Sequence, residues 1–262
     1  MLKLSKIFIY DEPSVPEIEI NQLAEFIEKT VGSKVEVRKN IFNHYISNRK
    51  TAYELASLRI FNPYSPSNKH IPVEEEINVE ERSFTDSSLP NNITLYDGFE
   101  LQNLLREMIP EEELSLDKLH IVFTTRLICT YDYEDYRYHG RAIICSNPSI
   151  ISTTGIIEAP AKPRAYYLDL HKNISQGLNL DSLKNQFKGK FLEYHDKNLG
   201  KVARGYALQA VFYHLTGEPF CNSKDCILYN AHWQQDLLHA QINFGIPCNS
   251  HQKILDNIRK CE

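Results

Sequence analysis

Apolar and polar residues follow two different periods along the first forty positions of the chain. Residues 4–10 have the β-branched and aromatic composition of a strand, and residues 34–37 alternate as a second strand does. Between them, residues 17–31 repeat apolar side chains at helical spacing, and Gly32 ends that pattern. Strand, helix and strand in this length predict a βαβ unit whose helix packs on a sheet.

The same periodicities predict further elements along the rest of the chain. They are helices at 45–61, 98–108, 180–187, 201–216 and 232–241, and strands at 93–96, 118–125 and 166–170. This order predicts the α/β class, with one mixed, twisted sheet and two or three long helices.

Residues 62–92 interrupt the pattern. They are rich in proline, serine and acidic residues, including Glu74, Glu75 and Glu76, and no period is sustained. We expect an exposed insertion or hairpin here, with the carboxylates on a solvated face.

Composition and charge exclude several classes of function. The chain has 262 residues, 42% of them hydrophobic and 24% charged, as in an ordinary globular protein. A formal charge of −5 without a basic run predicts no nucleic-acid partner, and no apolar run is long enough for a membrane span. The N-terminus lacks the pattern of a signal peptide, and six cysteines without a disulfide-scaffold spacing fit a reducing cytoplasm.

The last quarter of the chain carries the strongest chemical signal. Cys221 and Cys226 are separated by four residues, and Cys248 and His251 by two. Three thiolates and one imidazole on two tight turns can close a tetrahedral shell around one zinc ion, which leaves no position for water. We call these four residues the Cys3His cluster and predict a structural zinc site, with no second ion. Ordinary buried cysteines or a disulfide are the alternatives.

The helix at 201–216 and the segment after it resemble the archaemetzincins, which are metzincin-type zinc peptidases. In that family a helical H-E-x-x-H-x-x-G-x-x-H motif is followed at once by C-x4-C and later by C-x-x-C. His214 and Gly217 fall on the second histidine and the glycine, and His251 falls on the last cysteine. The resemblance implies a single metzincin-like domain over 1–262, whose motif helix and zinc knot occupy 205–262.

The catalytic half of the motif is not kept. Ala210 stands in place of the first histidine, Val211 in place of the general-base glutamate and Phe220 in place of the third histidine, while Leu228 replaces the methionine of the turn. Alanine, valine and phenylalanine cannot bind zinc or take a proton from a zinc-bound water. His214 is therefore the one catalytic candidate that the motif leaves.

A rebuilt metal site is the alternative in which catalysis survives. His195, His214, His232 and His239 could converge near the former catalytic position, with Asp196 or Glu218 as a carboxylate ligand.

A loop rich in tyrosine is a candidate binding surface. Tyrosine buries area and keeps a polar group, and loops often carry binding sites. The residues of this candidate loop are Tyr131, Tyr133, Tyr136, Arg137, Tyr138 and His139. In the resembling family, segments 141–145 and 150–157 would form the edge of the cleft, where a peptide adds as an extra strand.

Three functions remain open at this point. The first is a non-catalytic relative that binds a peptide or protein in the peptidase cleft. The second is an active metallopeptidase or hydrolase with ligands rebuilt around His214. The third is a structural interaction protein that makes its contacts through the tyrosine-rich loop.

Overall fold

The computed structural model describes residues 4–45, 47–66, 70–86 and 93–260. Its strands are β1 Lys6–Tyr10, β2 Lys34–Arg38, β3 Arg59–Ile60, β4 Leu95–Asp97, β5 Lys118–Thr124, β6 Leu127–Asp132, β7 Arg137–Gly140, β8 Ile143–Ile144 and β9 Ser149–Ser152. Its helices are α1 Ile20–Val31, α2 Ile41–His44, α3 Arg49–Ser57, α4 Glu74–Ser83, α5 Gly98–Met108, α6 Thr153–Glu158, α7 Arg164–Ser175, α8 Asp181–Gln186, α9 Leu199–Thr216, α10 Gln234–Leu238 and α11 Asn249–Lys260. Short 3₁₀ turns lie at Pro16–Ile18 and Glu111–Glu113, and a π-helical turn at His239–Phe244 follows α10.

Two sheets organise these elements. The larger sheet has the order β2-β1-β5-β9-β8, with β2, β1, β5 and β9 parallel and β8 antiparallel at one edge. The smaller sheet has the order β3-β4-β6-β7 and mixes parallel and antiparallel pairs. The predicted α/β class and mixed strand pairing are confirmed, but the strands form two sheets where the sequence analysis expected one.

Both faces of the larger sheet are buried. Ile7 and Ile9 on β1 belong to a core that also contains residues of α1, α9 and α11. The alternate residues Phe8 and Tyr10 belong to a second core with residues of α3 and α5. Side chains of successive strand residues point to opposite faces, so β1 supplies both cores.

The predicted βαβ unit is confirmed. β1 pairs in parallel with β2, from Lys6 opposite Lys34 to Tyr10 opposite Arg38. Helix α1 ends at Gly32, whose φ of 84° is a left-handed conformation that glycine adopts without steric cost. Helix α5 has the bounds expected from the sequence.

The segment 62–92, where we expected an exposed insertion or hairpin, contains a helix that the sequence pattern did not predict. Helix α4 lies within it and packs on α3, and it buries Ile77 and Glu80. Glu80 is 1% exposed because Arg59 and Arg126 form ion pairs with it and the Tyr96 hydroxyl donates to it. The apolar pattern of this helix is weak because one of its buried positions is occupied by a charged residue, Glu80, instead of an apolar one. Glu74 and Glu75 are exposed, and positions 67–69 and 87–92 lie outside the described residues.

The strand expected at 166–170 is wrong, because these residues form part of helix α7. Tyr166 and Leu170, four positions apart, face a small apolar cluster with Leu183, Phe187 and Phe191. No helix among the described residues is long and apolar enough to cross a bilayer.

Candidate metal centre and groove

The structure brings the Cys3His cluster together. The candidate ligand atoms of Cys221, Cys226, Cys248 and His251 all lie within 4.8 Å of one another. The Sγ atoms of Cys221 and Cys248 are 3.9 Å apart, and His251 Nδ1 lies 3.8 Å from Cys226 Sγ and 3.1 Å from Cys248 Sγ. All four cysteine and histidine side chains therefore face one point, and the three thiols are free.

The first ligand pair is positioned by the chain reversal after α9. This helix ends at Gly217, whose φ is 81° and whose N–H donates to the carbonyl of Tyr213. The N–H of Cys221 then donates to the carbonyl of Leu228 at 2.9 Å, and the N–H of Tyr229 to that of Cys226 at 2.9 Å. These main-chain bonds close a tight loop that turns both sulfur atoms to the same side.

The second ligand pair lies at the start of α11. Cys248 directly precedes the helix, and its carbonyl accepts from the N–H of Gln252 at 2.8 Å. His251 falls in the first helical turn, so its ring reaches back toward Cys248. The N–H of Ile227 donates to the carbonyl of Ile246 at 2.9 Å and joins the two ligand loops, while the ring of Phe212 on α9 packs edge-on against His251.

Electrostatics around the sulfur atoms favour a cation. The N–H of Ser223 donates to Cys221 Sγ and the N–H of Cys248 to Cys226 Sγ. Burial opposes ionisation of the Cys248 thiol, but hydrogen bonds from the main chain and ring of His251 outweigh it and lower the pKa of Cys248 to about 6. Burial raises the pKa of the Cys226 thiol to about 12. A bound divalent cation reverses that last effect, because a coordinating thiol is deprotonated.

The donor set fits zinc in both chemistry and size. Zinc–sulfur bonds near 2.3 Å and zinc–nitrogen bonds near 2.1 Å give tetrahedral S···S and S···N separations of about 3.8 and 3.6 Å. Three of the six separations within the cluster are 3.1, 3.8 and 3.9 Å, and all six are within 4.8 Å. Four protein ligands complete the shell, as in a structural site.

A groove of about 670 Å³ runs beside α9. One wall runs from His139 on β7, at the edge of the smaller sheet, through β8, at the edge of the larger sheet, to Cys145. The other wall includes Tyr206, Gln209 and Tyr213 of α9. Further lining residues are Phe99, Leu127, Thr130, Glu158, Ala159, Pro160, Pro219, Phe220, Asn230, Ala231 and His232. The segment 141–145 therefore lies at a groove edge, as the family resemblance implied.

His214 does not line this groove. Its Nε2 lies 2.7 Å from the carbonyl oxygen of Leu116, to which the ring donates. Ala210 and Val211, at the positions of the first histidine and the glutamate, are fully buried at 0% exposure. Phe220, at the position of the third histidine, does line the groove. Of the motif positions 210, 211, 214 and 220, it alone contributes to the groove wall.

The histidines of the predicted rebuilt site are not assembled. His195 Nδ1 lies 3.0 Å from a carboxylate oxygen of Glu17, and His239 Nε2 lies 2.7 Å from one of Asp225. His232 is exposed at the groove. Among the described residues, the groups of three or more potential metal ligands within 4.8 Å are the Cys3His cluster and Asp132–Asp135–His139, and neither contains His195, His214, His232 or His239. Each of these histidines lies on a different element and has its own surroundings.

The tyrosine-rich loop is the β6–β7 hairpin. Tyr133 and Tyr136 are 73% and 68% exposed at its tip. The Tyr138 hydroxyl donates to Asp97 at 2.8 Å, and Tyr131 packs edge-on against both Tyr133 and Tyr138. Arg137 and His139 both contact the carboxylate of Asp135, which explains the Asp132–Asp135–His139 group without a metal. The hairpin is ordered by these contacts and presents two exposed rings.

A sequence-family model described as a probable metallopeptidase family (DUF6775) matches residues 3–258. The chain belongs to this family. Among solved structures, the chain is similar to a zinc-dependent peptidase from Methanocorpusculum labreanum (strain Z), with 10% identity and a TM-score of 0.43 over 95% of this chain and 98% of that chain. No curated protein matches the sequence.

The groove face of α9 in this family member was not identified from the sequence. Tyr206, Gln209 and Tyr213 line the groove, whereas the motif comparison had placed Ala210 and His214 there. Gln209 is buried; its Nε2 donates to the carbonyl of Tyr229 at 3.3 Å, and its Oε1 has no partner in the described part of the chain. Positions 206, 209 and 213 have the spacing of one helix face and could have been recognised as such from the sequence. Most residues of α9 are buried, however, so the sequence does not distinguish this face from the others.

Proposed function

We propose that this member of the probable metallopeptidase family binds peptides in the groove, keeps one structural zinc ion and does not hydrolyse its ligand. The observation that carries the proposal is the composition of the groove wall. The α9 positions that line it are Tyr206, Gln209 and Tyr213, and the motif position at the end is Phe220. A zinc peptidase needs histidine ligands and a general-base carboxylate at such positions.

The edge of the larger sheet supports peptide binding. The N–H of Ser152 on β9 donates to the carbonyl of Ala142 at 2.9 Å, so the main chain of residue 142 faces β9. Main-chain groups of successive strand residues point to opposite sides, so the N–H and carbonyl of Ile143 face away from β9. An extended peptide can pair with Ile143 as an added strand, and an N–H of the ligand would satisfy the unpartnered Oε1 of Gln209.

The archaemetzincin relationship belongs to the same proposal. Its support is the order of a long helix, Gly217 at the helix end, Cys221 and Cys226 in the following loop and the pair Cys248 and His251. Thiolate ligands require reduced cysteines, which fits a cytoplasmic location.

The test combines three measurements on protein purified without chelator. We expect one zinc per chain by elemental analysis, binding of extended peptides in a fluorescence-polarisation screen, and no cleavage of a quenched peptide library with or without added zinc. Tyr213→Ala should weaken peptide binding because Tyr213 lines the groove. His214→Ala is the matched control: it is the next residue on α9, but its ring is directed to Leu116.

Two results would overturn the proposal. Cleavage that a chelator abolishes, together with a second zinc lost in His214→Ala, would establish an active peptidase with rebuilt ligands. Binding that depends on Tyr133 and Tyr136 but not on Tyr213 would assign the interaction to the β6–β7 hairpin, whose exposed rings favour the third function.

A further inference from the structure

Arg141 is a groove residue whose charge has no carboxylate partner. Its Nε donates to Thr130 Oγ1 at 2.7 Å, and no carboxylate of the described residues forms an ion pair with it. Two other titratable groups of the groove are already paired: Glu158 contacts Lys162 at 3.4 Å and His139 contacts Asp135 at 2.8 Å. The two Nη groups of Arg141 are the donors left over.

The main chain holds Arg141 firmly in place. Its N–H donates to the carbonyl of Ile128 on β6 at 2.8 Å. Its carbonyl lies against Gly155 of α6, where a Cβ would come within 2.1 Å of the Arg141 oxygen. Thr130, which accepts from Nε, is itself buried on β6. A guanidinium fixed by its backbone and by Nε loses little conformational entropy when its remaining nitrogens bind a ligand.

We propose that Arg141 binds a carboxylate of the peptide that occupies the groove, either an acidic side chain or the C-terminal carboxylate. This inference rests on the proposed peptide-binding function. The planar guanidinium matches a carboxylate with two parallel N–H donors. Arg141 lies two residues before Ile143, whose main chain is directed away from β9, so strand addition and carboxylate binding can occur on one ligand.

The net charge of the chain does not favour the binding of acidic peptides. The protein carries a formal charge of −5, so its overall field does not attract acidic peptides. A preference for acidic ligands must therefore arise from the groove itself.

The experiment compares matched peptides on the full-length protein. One pair differs by glutamate against glutamine at a scanned internal position, and a second pair by a free C-terminal carboxylate against a C-terminal amide. Wild type should bind one acidic member about tenfold to a hundredfold more tightly than its neutral partner, since hydrogen bonds between charged groups are stronger than neutral ones. The pair that shows the difference identifies the source of the carboxylate.

Two variants locate the effect. Arg141→Gln should abolish the difference within each peptide pair and change the affinity for the neutral peptides little. Arg137→Gln is the matched control, because Arg137 lies four residues before Arg141 on β7, pairs with Asp135 and is not part of the groove wall. Equal preference for acidic peptides in wild type and Arg141→Gln would overturn the inference while leaving peptide binding intact.

A second measurement keeps the two proposals separable. Titration of N-acetylglutamate should shift the Arg141 Nε–H resonance in nuclear magnetic resonance spectra of wild type but not shift that of Arg137. A shift without binding of any peptide would retain the carboxylate site and reject the peptide-binding function. No shift and no peptide preference would reject the carboxylate site.

Discussion

The Cys3His cluster and the groove face of α9 are close in sequence but differ in how their candidate ligands are arranged. In the cluster, four ligand atoms from two loops face one point. Along α9, His214 is directed to Leu116 and the groove receives Tyr206, Gln209 and Tyr213. The candidate ligands of the proposed structural metal are thus assembled, whereas the α9 residues that line the groove include no histidine or carboxylate. The two sites differ in their ligands, although both lie beside the same helix.

The physical reason is that the two sites contribute differently to stability. A closed structural zinc site supplies folding free energy, so each ligand that is lost destabilises the whole domain. A catalytic site on a preformed cleft contributes chemistry, and its residues can change to apolar ones without loss of packing. Under the proposed archaemetzincin relationship, Ala210 and Val211, both fully buried, are examples of the second case.

The largest expected effect comes from breaking the cluster. Cys226→Ser replaces the most buried of the three thiols and removes one ligand, so we expect loss of bound zinc and destabilisation by more than about 4 kcal/mol. The thermal midpoint should fall by about 10 °C or more, measured by calorimetry beside elemental analysis. Cys145→Ser is the control, since Cys145 lies outside the cluster. Retention of one zinc and an unchanged midpoint would remove the structural role.

The next effect tests which face of α9 could hold a metal: the face with Ala210 and His214, given by the motif, or the face with Gln209 and Tyr213, which lines the groove. Ala210→His with Val211→Glu restores the H-E-x-x-H part of the motif as the sequence aligns it, but places polar groups at fully buried positions. We expect a loss of about 3–6 kcal/mol from overpacking and unpaired polar burial, with no second zinc.

A complementary variant places metal ligands on the residues that line the groove. Gln209→His, Tyr213→His and Phe220→His together put three imidazoles on residues that line the same groove, two of them at i and i+4. This variant should bind one more zinc per chain than wild type in elemental analysis. A second zinc in the 210/211 variant instead would place the catalytic face where the motif has it.

The smallest effect is expected at His214. His214→Ala removes the hydrogen bond from the ring to the Leu116 carbonyl, and a bond of this kind contributes about 1 kcal/mol. Urea denaturation should show that small decrease, and the zinc content should not change. Loss of metal in this variant would contradict the separation drawn between the two sites.

The features that could be predicted from the sequence are those set by residues close together in the chain. Cys221 with Cys226, and Cys248 with His251, are each brought together by one turn of chain, so their spacing alone indicates a shared site. The βαβ unit and helix α5 were likewise predictable, because each has one apolar face and a clear end.

The rotation of α9 about its axis was not predictable in the same way. Almost every residue from Leu199 to Phe212 is buried, so no polar stripe marks the groove side. Helix α4 was missed because it buries Glu80 in an ion pair, which interrupts the apolar period. Helix α7 was predicted as a strand because it has no buried residue. It does not pack into either large core, so its sequence lacks a clear apolar stripe at helical spacing.

The order of the ligands along the chain has a consequence for synthesis on the ribosome. Cys221 and Cys226 are made well before Cys248 and His251, so the cluster cannot close until the start of α11 has emerged. Helix α11 also packs against α1, so its arrival joins late-made residues to the first helix of the domain. The proposed zinc site therefore cannot be complete before His251 has been made, and nascent chains that stall before residue 248 would keep an open loop accessible to proteases.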